Sequence, residues 1–239
     1  MNQQHEGGRS NLSAEQLAQA TAYGLAERLG DTLRRQGLVL GTAESCTGGL
    51  LAGAVTAVAG SSEWFDRGFI TYSNDAKVAE LDVSPDALHH FGAVSEPVAL
   101  EMANGVLLAS PAAQVAVSTT GIAGPGGATP GKPVGMVCFG FAQRVGDGIS
   151  SRAVTHVFGG DRAQVRQQAV EFALRGVLEL LGRRSTGVEE DRARNGAVQG
   201  YRGSRLAPAS GAQRTALIAS RRPRAASPAA WRQSSPPLA

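Results

Sequence analysis

Residues 38–60 read LVLGTAESCTGGLLAGAVTAVAG. The first part, LVLGTAES, is a short apolar run that suits a buried strand ending at a turn. The part that begins at Gly48 suits an apolar helix of small residues, closed by Gly60. A strand that passes through a tight Gly-Gly turn into a helix is the building unit of an α/β fold.

Working outward, residues 1–11 are polar and read as a flexible N-terminus. From Leu12, apolar residues at Leu17, Ala20, Tyr23, Gly24, Ala26, Leu29 and Leu33 follow helical spacing, with Ser13 as cap and Gly37 as stop. FDRGFITYSN reads as a strand, and NDAKVAELD as a short helix capped by Asn74. Ser95, Glu96 and Pro97 mark the start of another helix. AQVAVSTTG is strand-like and opens into the loop GIAGPGGATPGKP. VGMVCFGFAQR and ISSRAVTHVFG suit a hairpin around Gly146-Asp147-Gly148. The final helix begins at DRAQVR, with Val165, Ala169, Phe172, Leu174, Val177, Leu180 and Leu181 on its apolar side. Alternating strands and helices followed by adjacent strands predict a mixed β-sheet covered by helices. The folded domain spans 12–182. Residues 183–239 lack a sustained period, are rich in Arg, Ala, Ser and Pro, and are expected to be a disordered tail.

The 239 residues carry a formal charge of +3, but the charge is split. Residues 1–182 hold 12 Lys+Arg against 17 Asp+Glu, and residues 183–239 hold 11 Arg against 3 acids. The basic balance therefore belongs to the tail, where the near absence of aromatics speaks against a nucleic-acid stacking surface. Two cysteines make no disulfide framework and no zinc spacing, so no metal is expected. No signal peptide and no apolar run of spanning length is seen, which predicts a cytoplasmic protein with no membrane partner.

Four stretches carry chemistry. In TAESCTGG, Ser45 at a helix start can act as a nucleophile, with the amides of Cys46, Thr47, Gly48 and Gly49 as an oxyanion pocket. Ser45 or Thr47 as a plain helix cap, and Cys46 as an alternative nucleophile, stay open. In FITYSNDAKV, Lys77 stands out because the chain has only two lysines, Lys77 and Lys132, against 21 arginines. A desolvated lysine loses its proton near neutral pH, whereas arginine does not. Tyr72 just before it suits a proton relay. STTGIAGPGG is a glycine-rich loop whose exposed amides suit phosphate or ribose, with Lys132 at its rim; it has neither a Walker nor a dinucleotide-binding pattern. Arg162 and Arg166 sit one helical turn apart and suit an anion between them, or surface ion pairs. His89, His90 and His156 suggest no triad, and His156 reads as packing.

Together, TAESCTGG, GFITYSNDAK, GAVSEPVALEMA, STTGIAGPGG and FGGDRAQVR occur in an order that resembles the CinA C-terminal domain family, over residues 12–182. The resemblance implies an α/β/α sandwich, a homodimer, no cofactor, and deamidation of nicotinamide mononucleotide in pyridine nucleotide recycling. It implies Ser45 as nucleophile, assisted by Tyr72 and Lys77. It also implies a threonine, Thr119 or Thr120, and an arginine, Arg162 or Arg166, in the site. The loop glycines Gly121, Gly124, Gly126 and Gly127 would face the ribose phosphate. Many members of the family carry a further N-terminal domain resembling molybdopterin-binding proteins, which is not expected here. Two other readings remain: a non-catalytic regulatory module linked to competence or DNA damage, and an amidase or esterase for a different small substrate.

Overall fold

The computed structural model describes residues 14–196, with side chains from 21 to 182. The opening unit is as read: β1 (Leu40–Glu44), fully buried, turns through Ser45–Gly49 into α2 (Leu50–Thr56). The helix is shorter than the sequence suggests, and residues 57–60 form turns instead. Before this unit lies α1 (Ala14–Gln36). After it come β2 (Phe65–Ile70), α3 (Asn74–Leu81), α4 (Pro85–Phe91), α5 (Glu96–Ala109), β3 (Val115–Gly121), β4 (Met136–Val145), β5 (Gly148–Val157) and α6 (Arg162–Gly196).

The sheet order is β2-β1-β3-β4-β5, with β2, β1 and β3 parallel and β4 and β5 antiparallel. Helices cover both faces, which makes a mixed-sheet α/β/α sandwich. One core gathers Leu25, Leu29, Leu33, Leu40, Leu51, Phe139, Phe141 and Leu174 between the sheet and α1, α2 and α6. The other gathers Leu81, Val98, Met102, Val106 and Ala116 under α3, α4 and α5. Small residues set the layer spacing, as at Gly140, where a Cβ would collide with the carbonyl of Ala99 on α5.

The chain leaves β1 toward β2 on one side and leaves β3 toward β4 on the other. The carboxyl ends of β1 and β3 therefore flank a crevice at a topological switch point, the place where open α/β sheets hold their ligands. Ser45 follows β1, and the glycine-rich loop follows β3.

Four local readings need correction. Ser73, not Asn74, caps α3: its hydroxyl accepts from the Ala76 amide, and Asn74 is the first helical residue. α4 is an element that the sequence analysis did not identify, although Ser84 caps it and Pro85 opens it. On α1, Tyr23 points outward, and the buried stripe is Ala22, Leu25, Ala26, Leu29 and Leu33. The backbone of α6 stays helical past Gly182 to Gly196, because residues 183–196 contain no proline and include helix formers such as Glu189, Glu190 and Ala193. The rest of the tail, residues 1–11 and the Ser13 cap lie outside the described residues.

Candidate active site

β1 carries Ser45 to the crevice, and α3 carries Lys77 to meet it. The Lys77 side chain is 1% exposed, and its Nζ lies 3.1 Å from Ser45 Oγ. The amine donates to the Thr71 carbonyl at 2.7 Å and makes longer contacts with the carbonyls of Tyr72 and Ser73 at 3.5 Å. A neutral amine has two N–H bonds and one lone pair, so in that form Lys77 can donate to two of these carbonyls and turn its lone pair to Ser45. Burial pushes the Lys77 amine below its ordinary value, in the direction a base needs. Cys46 goes the other way. Its thiol is 6% exposed and pushed up to about 12, chiefly by burial, so it stays protonated and is a poor alternative nucleophile.

The turn after Ser45 is held from several sides. The Ser45 amide donates to the Thr119 carbonyl at 2.9 Å, and the Thr47 and Thr119 hydroxyls lie 2.7 Å apart, both buried. Thr119 is thus the threonine that meets the nucleophile turn. Thr120 faces the other layer and donates to the Ala93 carbonyl. Glu44, the last residue of β1, is fully buried, and its carboxylate accepts from the amides of Gly49, Leu51 and Ala52. α2 therefore gets its N-terminal acceptor from the preceding strand, since its own cap residue, Gly49, has no side chain. Sequence reasoning missed Glu44. The available signal was a single carboxylate in an otherwise uncharged strand, one position before the serine.

These bonds correct the oxyanion set. The Gly49 amide is occupied by Glu44, and the Gly48 amide donates to the Ser45 carbonyl at 3.1 Å. The Cys46 amide turns to its own thiol, and in that set only Thr47 has an amide without a protein acceptor among the described residues.

The remaining candidates ring the crevice. The Tyr72 phenol does not reach Lys77. It accepts from Arg162 at 3.0 Å, and the residue meets Lys77 through its backbone carbonyl at 3.5 Å. Arg162 also donates to the Gly124 carbonyl at 2.9 Å, joining the glycine-rich loop to the tyrosine. Arg166 points to the nucleophile turn and donates to the carbonyls of Cys46 and Thr47. Asp161 and Gln164 form a reciprocal cap at the start of α6. Gly126 and Gly127 are exposed in the loop, whereas Gly121 belongs to β3, where a Cβ would press on Met136 and Val137. Lys132 donates to the Phe91 carbonyl at the end of α4 and so ties the loop to that helix. His156 packs its ring against Phe158 and Phe172. Among the described residues no cluster of His, Cys, Asp and Glu is arranged to hold a metal, and no helix is long and apolar enough to cross a membrane.

The family model described as the CinA C-terminal domain matches residues 22–181. The chain belongs to the CinA C-terminal domain family. Among its relatives, the nicotinamide-nucleotide amidohydrolase PncC of Escherichia coli K12 is 51% identical over 150 residues, covering 63% of this chain and 88% of that protein. The protein of the same name from Enterobacter agglomerans is 49% identical over 162 residues, covering 68% and 96%. Longer family members also match: a CinA-like protein of Chlorobium limicola is 54% identical over 152 residues, which is 63% of this chain but 35% of that one. Among solved structures, the competence/damage inducible protein CihA from Agrobacterium tumefaciens superposes with a TM-score of 0.62 at 44% identity. The match covers 67% of this chain and 95% of that one.

Proposed function

We propose that this CinA-family chain hydrolyses the carboxamide of nicotinamide mononucleotide, with Ser45 as nucleophile and Lys77 as its general base. The observation that carries the reading is a fully buried lysine whose amine lies 3.1 Å from a serine hydroxyl at the switch point of the sheet. The names of the relatives supply the substrate. A module that only binds has no use for a desolvated amine aimed at a serine, which weighs against the regulatory reading.

Ser45 Oγ attacks the carboxamide carbon while Lys77 Nζ takes its proton. The oxyanion of the tetrahedral intermediate lies against the Thr47 amide. As the C–N bond breaks, Lys77 returns the proton to the departing nitrogen and ammonia leaves. A water molecule, deprotonated by Lys77, then attacks the acyl carbon; as the Ser45 ester breaks, Lys77 returns the proton to Ser45 Oγ and nicotinate mononucleotide is released. Every step is a proton or acyl transfer, so the cycle closes with no redox cofactor. Arg162 and the loop amides near Gly126 and Gly127 take the phosphate, and the exposed Tyr72 ring borders the base.

Two results test this. Purified protein should release ammonia and nicotinate mononucleotide in equal amounts, and acid quenching during turnover should trap an acyl adduct on the peptide that contains Ser45. Arg162→Ala should raise KM for the nucleotide. Hydrolysis of unrelated amides or esters with nicotinamide mononucleotide untouched would overturn the substrate assignment.

A further inference from the structure

The peptide units that follow Ser45 are not equivalent. Glu44 occupies the amides of Gly49, Leu51 and Ala52, and the Ser45 carbonyl occupies that of Gly48. The Cys46 amide turns to its own thiol, and the Thr47 amide is left without a protein acceptor among the described residues. Arg166 Nε donates to the Cys46 carbonyl at 3.1 Å and its Nη2 donates to the Thr47 carbonyl at 2.8 Å.

In a trans peptide the C=O and N–H of one unit point in opposite directions. These units are trans, since the cis bond in the described chain lies between Gly124 and Pro125. The Cys46 carbonyl and the Thr47 amide belong to the same unit. A bond that holds this carbonyl toward α6 therefore aims the Thr47 N–H away from α6. The Ser45 carbonyl and the Cys46 amide share the preceding unit, and the Gly48 donor fixes it in the same manner. A hydrogen bond at the carbonyl also polarises the unit and strengthens its N–H as a donor.

We propose that Arg166 is a positioning residue that orients and polarises the Thr47 amide as an oxyanion donor, rather than a grip on the substrate's phosphate. Arg162, one helical turn earlier and exposed, is left for the phosphate. The assignment rests on the amidohydrolase reading and divides the work between two arginines that look equivalent in the sequence.

The test compares wild type, Arg166→Ala and Arg166→Lys on two substrates, nicotinamide mononucleotide and the nucleoside that lacks its phosphate. A third readout is the rate at which a small fluorophosphonate labels Ser45, which depends on the nucleophile turn but not on the substrate. Loss of an oriented oxyanion donor lowers turnover by about a hundredfold. The expected result for Arg166→Ala is therefore a kcat about a hundredfold lower, with KM for the nucleotide within about twofold. The loss in kcat/KM should be the same on both substrates, with slowed labelling. Arg166→Lys, which can still reach one carbonyl, should recover part of the kcat and the labelling, and it stands in if the alanine variant does not fold. A raised KM for the nucleotide alone, with kcat, labelling and nucleoside hydrolysis unchanged, would assign Arg166 to the phosphate and overturn the proposal. Wild-type rates in both variants would overturn it too. A wild type that is silent on both substrates but labelled at Ser45, with labelling slowed in both variants, would remove the deamidase reading and uphold the positioning role.

Discussion

Replacing Glu44 by Gln probes the buried carboxylate on which the Ser45 turn and α2 both rest. In the native site, Oε2 accepts from Gly49 at 2.8 Å and Leu51 at 3.1 Å, and Oε1 accepts from Ala52 at 2.8 Å. A carboxamide can place its oxygen at the first position and keep two bonds. Its NH2 group then faces the Ala52 N–H, donor against donor. Hydrogen bonds to a charged group contribute about 1.5–3 kcal/mol each, against about 1 for neutral ones. Losing one and weakening two removes about 3 kcal/mol, and the lighter desolvation of a neutral group returns about 1 kcal/mol. The net loss of about 2 kcal/mol should lower Tm by about 4–8 °C. Because the same turn carries the nucleophile, kcat should fall at least about tenfold. Thermal melts by circular dichroism and steady-state ammonia release read the two effects. A variant that melts within about 1 °C of wild type and keeps its kcat would refute the reasoning that Glu44 holds the turn.

Further outcomes follow from the same geometry. Burial holds the Lys77 amine below its ordinary value of 10.5, so between the two values the unfolded chain binds more protons than the folded one. Wild-type stability should therefore rise relative to Lys77→Met as pH climbs toward the ordinary lysine value of 10.5, and a flat difference in Tm would contradict this. In the same direction, kcat/KM should grow with pH as Lys77 loses its proton; an acid limb that is absent, or that persists in Lys77→Ala, would count against the base. Cys46→Ala should keep ammonia release within about threefold, since the thiol is pushed up to about 12, and a loss of tenfold or more would return the cysteine to the chemistry. Gly140→Ala should destabilise by about 1–3 kcal/mol, read as a lower urea midpoint, because its Cβ meets the α5 backbone at Ala99; an unchanged midpoint would mean the layers slide apart freely.

What the sequence disclosed and what it hid divide along range. The strand-turn-helix at 38–60, the hairpin of β4 and β5, and the Ser95 cap are local patterns of hydrophobicity and turn residues, and each is legible without tertiary knowledge. α4 was hidden because its seven residues are too few for Ala87, Leu88 and Phe91 to establish a period. Ser73 and Asn74 are adjacent residues that both make good caps, and only the bond to Ala76 separates them. In the site, the scarcity of lysine singled out Lys77 and Lys132 together. Tertiary contact then sent one to Ser45, 32 residues away in sequence, and the other to the Phe91 carbonyl. The partners of Tyr72 and Arg166 lie 90 and 120 residues away, beyond the reach of any local pattern. Hence their chemistry could be anticipated by residue type but not by role.

The central claim is a serine nucleophile activated by a buried lysine on nicotinamide mononucleotide. Ammonia release from that nucleotide by the wild type, Ser45→Ala and Lys77→Ala, each checked for folding, tests it most directly. Steady release by the wild type, with both variants slower by at least about a hundredfold, is the expected result. Release that survives in Ser45→Ala, or a well-folded wild type that leaves the nucleotide intact, would contradict it.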